Sequence, residues 1–189
     1  MLSVAAAVIG VAVVAQLVGS VGGVRMTGPD GNEYDMQDLP NKEEAVKLMA
    51  KIRANLTKLR DSYAEEPALM NDPPVARFVA RYQPDVFSEN SMSSPDTSYS
   101  ENKGQRIVVC LRDKTKRPEY PLVDINTIMF VMLHEMAHLM TESIGHTPEF
   151  WANFKRILHD AVKVGIYTPV NYSRQPTPYC GMTITDSPL

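Results

Sequence analysis

His134, Glu135 and His138 fall in the run Val131-Met-Leu-His-Glu-Met-Ala-His-Leu-Met140, a His-Glu-x-x-His pattern inside an almost wholly apolar stretch. The spacing is demanding, because residues four apart on a helix share one face, so both imidazoles can reach a single metal ion. Zinc takes imidazole nitrogen readily, and a catalytic zinc keeps one position open for water. Glu135, one residue past His134, is angled toward that water as its base rather than toward the metal. Asp124 is a natural N-cap for the helix, which continues through Ile128, Met129, Phe130, Met132, Leu133, Met136, Ala137 and Met140. A helix apolar nearly all round is a buried one. Polar groups buried without partners are costly, so His, Glu and His need a reason to be there, and a metal with its water provides one.

A third candidate ligand follows in Glu142-Ser-Ile-Gly-His-Thr-Pro-Glu-Phe-Trp151. Gly145 can adopt the positive backbone angles that end a helix. Thr147 then reads as an N-cap and Pro148 as the first residue of a new helix. The turn brings His146 back over the first helix and completes a three-histidine set for Zn2+. The fourth histidine of the chain, His159, reads as a surface or half-buried residue of the helix that follows. Glu142 and Glu149 are either partners that orient a ligand imidazole or solvated helix-end charges, the latter favoured for Glu149 at a helix start. Tyr167, Tyr172 and Tyr179 are candidate donors to a transition-state oxyanion, or packed aromatics. Met182 forms a Met-containing turn beneath the metal or simply fills core space.

Upstream, Gly104 to Asp113 reads as a strand, with Ile107, Val108, Val109, Cys110 and Leu111 between turn signals. Residues 106–112 are either an edge strand that pairs with an extended substrate or an ordinary core strand. Strand, helix and third histidine together resemble the WLM group of zinc metallopeptidases, related to the SprT-like proteases and part of the zincins. The resemblance rests on Leu111-Arg112, Leu133 to His138, His146 and Phe150-Trp151, and covers about residues 103–160. Met136 stands where the family has Leu, and the gap between the second and third His is longer. The resemblance implies that His134, His138 and His146 bind zinc and that Glu135 is catalytic.

Some members of the broader group act on proteins crosslinked to DNA. The charge pattern here does not extend to that, since the net charge is −3 and the one basic cluster, Arg112, Lys114, Lys116 and Arg117, is diluted by Asp113. Nucleic-acid binders concentrate basic residues on one face, so no nucleic-acid partner is expected.

At 189 residues the chain has room for one ordinary domain plus an extension. Leu2 to Val24 carries no charge and is long enough to span a bilayer. No Lys or Arg precedes it, so it reads as a membrane anchor (residues 1–24), with a cleaved signal peptide or a buried core helix as alternatives. Arg25 and the lysines beyond put the rest of the chain on the cytoplasmic side, or in a virion interior if the gene is viral. Cys110 and Cys180 fit that side as free thiols, or pair if the domain is lumenal. Residues 25–40 read as a linker. Asn41 with Glu44 forms a capping pair opening a helix to about residue 62, with Ala45, Met49, Ile52, Leu56 and Leu59 on one face. A shorter helix runs from Asp72-Pro73 to Tyr82, and residues 83–103 form a long loop with a short strand near Thr97 to Tyr99. The fold class expected is α+β and zincin-like: helices on a small, mostly antiparallel sheet, with an N-terminal transmembrane helix and a peptidase domain at 41–189. The function expected is a membrane-anchored zinc metallopeptidase, of the endopeptidase kind, acting on a protein or peptide substrate. The alternative is a non-catalytic, membrane-tethered structural protein with a stabilising zinc site.

Overall fold

The computed structural model describes residues 23–189 apart from 84, 86 and 103. Its architecture is α+β: a five-stranded sheet, a group of helices, and a C-terminal hairpin. The hairpin at the start, β1 (Gly23–Thr27) and β2 (Glu33–Gln37), turns through Gly28-Pro-Asp-Gly31, where Gly31 takes a positive φ of 78°. Tyr34 and Met36 alternate inward from β2 and are fully buried. Residues 25–40 are therefore not a linker: β2 pairs with β3 (Phe87–Glu89), so this segment is part of the central sheet.

The strand order is β1-β2-β3-β5-β4, where β4 is Tyr99–Glu101 and β5 is Arg106–Val109. β1/β2 and β4/β5 are antiparallel, β2/β3 and β3/β5 parallel. The sheet is thus mixed rather than mostly antiparallel. The reason is that β3, hidden in the stretch 83–103 that reads as loop, inserts between β2 and β5. β4 pairs with the other side of β5, so residues 106–109 lie inside the sheet. The edge strands are β1 and β4, and β4 is the one next to β5.

The expected single-pass membrane placement is overturned: no helix among the described residues is long and apolar enough to cross a membrane. Of the proposed anchor, residues 1–22 lie outside the described residues, and Gly23 and Val24 belong to β1.

The helices are α1 (Lys42–Ala64), α2 (Pro67–Met70), α3 (Pro73–Arg81), α4 (Ile125–Met140) and α5 (Pro148–Lys163). Ala45, Met49, Ile52, Leu56 and Leu59 form the buried face of α1 as their spacing predicts. The capping pair does not form. Asn41 is left-handed (φ 56°) and its side-chain oxygen accepts from Arg112 instead. Arg112 itself is wholly buried, paired with Glu89 at 2.6 Å and donating to the carbonyls of Pro40 and Tyr120. It therefore does not contribute to a surface basic cluster. Burial of a guanidinium is tolerable only because Nε and Nη1 are partnered in this way, although Nη2 is buried without a partner.

Cys110 and Cys180 form a disulfide, so the free-thiol reading is corrected. The bond ties the C-terminal hairpin, β6 (Thr177–Tyr179) with β7 (Met182–Ile184), to the end of β5.

Candidate metal centre

α4 brings two of the site's side chains together by its own periodicity. Asp124 caps the helix by accepting from the Thr127 amide at 3.1 Å. Ile128, Met129, Met132, Leu133, Met136 and Met140 are fully buried, so the helix cannot rotate without exposing them. His134 and His138 then project from one face, their rings 5.1 Å apart.

The third histidine arrives as its turn predicts. α4 ends at Met140, Gly145 takes a φ of 84°, and Thr147 caps α5 by accepting from the Phe150 amide. His146 Nε2 lies 3.1 Å from His134 Nε2. One nitrogen from each of His134, His138 and His146 falls within 4.8 Å of the others. Among the described residues no fourth His, Cys, Asp or Glu joins this cluster.

The cluster has an aromatic floor. Phe150 stacks on His138 at 4.3 Å and meets the edge of His134 at 4.9 Å. Phe154 meets His134 at 5.1 Å, and Trp151 lies 5.8 Å from His146. Burial, reinforced by the neighbouring His138 and His146, pushes His134 down to about 3. Burial and His146 also lower His138. Both rings are therefore neutral, with lone pairs free to donate to a cation. Glu135 sits on the adjoining face of α4. Burial pushes its carboxyl up to about 7, opposed by the Ser100 amide of β4, which faces it.

The other sequence candidates fall differently. Tyr179 is buried; its hydroxyl donates to the Cys110 carbonyl at 2.9 Å and meets Ser98 Oγ at 2.6 Å. Its proton is committed, which argues against a role as oxyanion donor. Tyr172 and Tyr167 pack on Phe130, one helical turn before His134, at 4.6 and 6.1 Å. Met182 is 49% exposed on β7, so it neither lies under the cluster nor fills the core. His159 is exposed on α5, apart from the cluster. Neither Glu142 nor Glu149 bonds an imidazole. Glu149 instead accepts from the amides of Glu142 and Ser143 and the Ser143 hydroxyl, at 3.0, 3.1 and 2.7 Å.

Sequence reasoning did not reach Ser100, Arg77 or Arg81. Arg77 donates to the Met140 carbonyl at the end of α4, and Arg81 to those of Leu139 and Thr141. The last carbonyls of a helix need donors, but three strands separate α3 from α4, so nothing local in the sequence pairs these arginines with that end.

With this geometry in place, relatives can be compared. Residues 99–175 match the WLM domain, a span running from β4 through α4 and α5. An uncharacterized protein of Acanthamoeba polyphaga mimivirus, R325, is 32% identical over 158 residues, covering 82% of this chain and 79% of the viral protein. This chain belongs to the WLM family. A shorter match, 35% over 82 residues, links this WLM protein to the uncharacterized protein 136R of Invertebrate iridescent virus 6, covering 43% of the chain and 45% of that relative. Among solved structures, the crystal structure of Wss1 from Saccharomyces cerevisiae is similar at a TM-score of 0.49 and 21% identity, over 68% of this chain and 84% of that one. At the level of the family, WLM membership brings a metallopeptidase-like function. The mimivirus relative matches most of the chain, so the likeness extends well beyond the motif.

Proposed function

We propose that this chain is a zinc-dependent metallopeptidase that hydrolyses peptide bonds through Glu135 and a zinc held by His134, His138 and His146. The observation that carries this reading is the convergence of three imidazole nitrogens within 4.8 Å, beside a buried carboxyl that binds none of them. The donor set fits zinc: three imidazole nitrogens, with His134 and His138 held neutral by burial. A stabilising site takes four protein ligands and needs no base, so the set favours a catalytic role over a structural one. When bound, zinc supplies a Lewis-acidic centre that acidifies water and polarises a carbonyl.

The chain's own groups account for the rest of the chemistry. Glu135, raised toward neutrality by burial, accepts a proton from the attacking water and delivers it to the departing amine. Phe150 and Phe154 exclude water from behind the imidazoles and hold the ring planes. β4 is the sheet edge beside α4, and its outer side has no strand partner among the described residues. An extended peptide adding to that edge would lie across the face of Glu135. The fold is read as zincin-like on the same grounds: an edge strand over a metal-motif helix.

The test is Glu135→Gln in the full chain, assayed with a library of unstructured peptides. The variant keeps its zinc and loses hydrolysis by a factor of ~100 or more. A variant that cleaves as well as the parent contradicts the mechanism.

A further inference from the structure

His134 and His138 are fixed relative to each other by one helical turn, but His146 is exposed and stands on the turn between α4 and α5. A metal site is only as tight as its least constrained ligand, so something must hold that turn. Two side chains outside the ligand set do so. Glu149, in the first turn of α5, reaches back to take the amides of Glu142 and Ser143 and the Ser143 hydroxyl. Ser143 Oγ in turn lies 2.6 Å from Thr147 Oγ1, the cap of α5, so the bonds close around His146 from both sides. Arg77 of α3 donates to Glu142 at 3.1 Å, to Glu149 at 3.4 Å and, through Nε, to the Met140 carbonyl at 2.8 Å.

We propose that Glu149 and Arg77 are positioning residues for the third imidazole, setting the metal affinity of the site through His146. The inference rests on the three-histidine reading above. The geometry is specific to this purpose. A carboxylate at a helix start is stabilised there without any partner, yet this one turns back to saturate itself on the residues preceding His146. The guanidinium spans the end of one ligand-bearing element and the start of the next, so α4 and α5 share one anchor. Removing an outer partner of a metal ligand costs about 10–100-fold in affinity.

The experiment is a double-mutant cycle on the full chain, with Zn2+ alone as the probe, competed against a chromophoric chelator. Glu149→Gln, which keeps shape and removes charge, and Arg77→Ala are each measured in the parent and in His146→Ala. The expected result is a loss of about tenfold or more in the parent and none in the His146→Ala background. Visible absorption of the Co2+-substituted chain should move in the same way. Equal losses in both backgrounds, or none in either, overturn the proposal. If Arg77→Ala does not fold, Glu149→Gln alone decides. If His146→Ala leaves zinc affinity unchanged, the three-histidine reading fails first, and that outcome is separate from an additive cycle.

Discussion

Glu135 and Glu149 stand on the two helices that frame the candidate centre, and their surroundings drive them in opposite directions. Burial raises Glu135 to about 7, while the Glu142 amide, the Ser143 hydroxyl and the Ser143 amide hold Glu149 at about 2. A carboxyl lowered on folding stabilises the native state above its unfolded pKa, and that contribution disappears as pH falls through the folded value. Thermal midpoints of the parent and Glu149→Gln should therefore differ at about pH 6 and converge as pH falls from about 4.5 toward 2. The gap is modest, since the side chain is 38% exposed and water screens it. A gap independent of pH contradicts this account of Glu149. Phe150 carries a different load: it is fully buried and stacked on His138. Phe150→Ala should cost about 3–5 kcal/mol in denaturant unfolding, with a loosened zinc site; a cost below about 1 kcal/mol contradicts its place in the core.

At the scale of elements, α4 was readable because its apolar run, its Asp124 cap and its His spacing all point to one structure. Asp124→Ala should cost about 1 kcal/mol, read from urea midpoints, because one amide at the helix start loses its partner. The turn before α5 was equally readable from Gly145, Thr147 and Pro148. α1 was readable along its buried face but not at its cap, because Asn41 is claimed by Arg112, a partner 71 residues away. Local capping rules do not see such competition. Whether residues 106–112 form an edge or a core strand stayed open in the sequence for a related reason. β5 is apolar and obvious, whereas β3 and β4 are short and polar, and only pairing makes them strands. The pairing of Cys110 with Cys180 across a separation of 70 residues was left open by their number alone. Cys110→Ser with Cys180→Ser should lower stability by about 4 kcal/mol in the chain-entropy model. Unfolding unchanged by the double substitution would contradict a native bond.

For the molecule as a whole, the N-terminal hairpin makes the sheet continuous from residue 23 to β4, rather than beginning the domain at 41. The signal was present: Val24-Arg-Met and Tyr34-Asp-Met alternate on either side of Gly28-Pro-Asp-Gly31, a turn sequence with a hairpin's period. It was eclipsed by the uncharged run that precedes it. Deleting residues 23–40 should expose the core under Tyr34 and Met36 and abolish cooperative unfolding; a cooperative transition retained would contradict the hairpin's place in the core. The clustering of His134, His138 and His146, by contrast, was legible, because a helical repeat and one Gly turn bring them together without distant partners. What the sequence hid were the groups that support it, Arg77, Arg81 and Ser100, which reach the site only through tertiary contacts. The most direct test of the account is zinc content per folded chain, measured for the parent, Glu135→Gln and His138→Ala. The account predicts one tightly held zinc in the parent and in Glu135→Gln, and its loss in His138→Ala; a folded parent that takes up no zinc when offered it, or a His138→Ala variant that holds zinc as tightly, would contradict it.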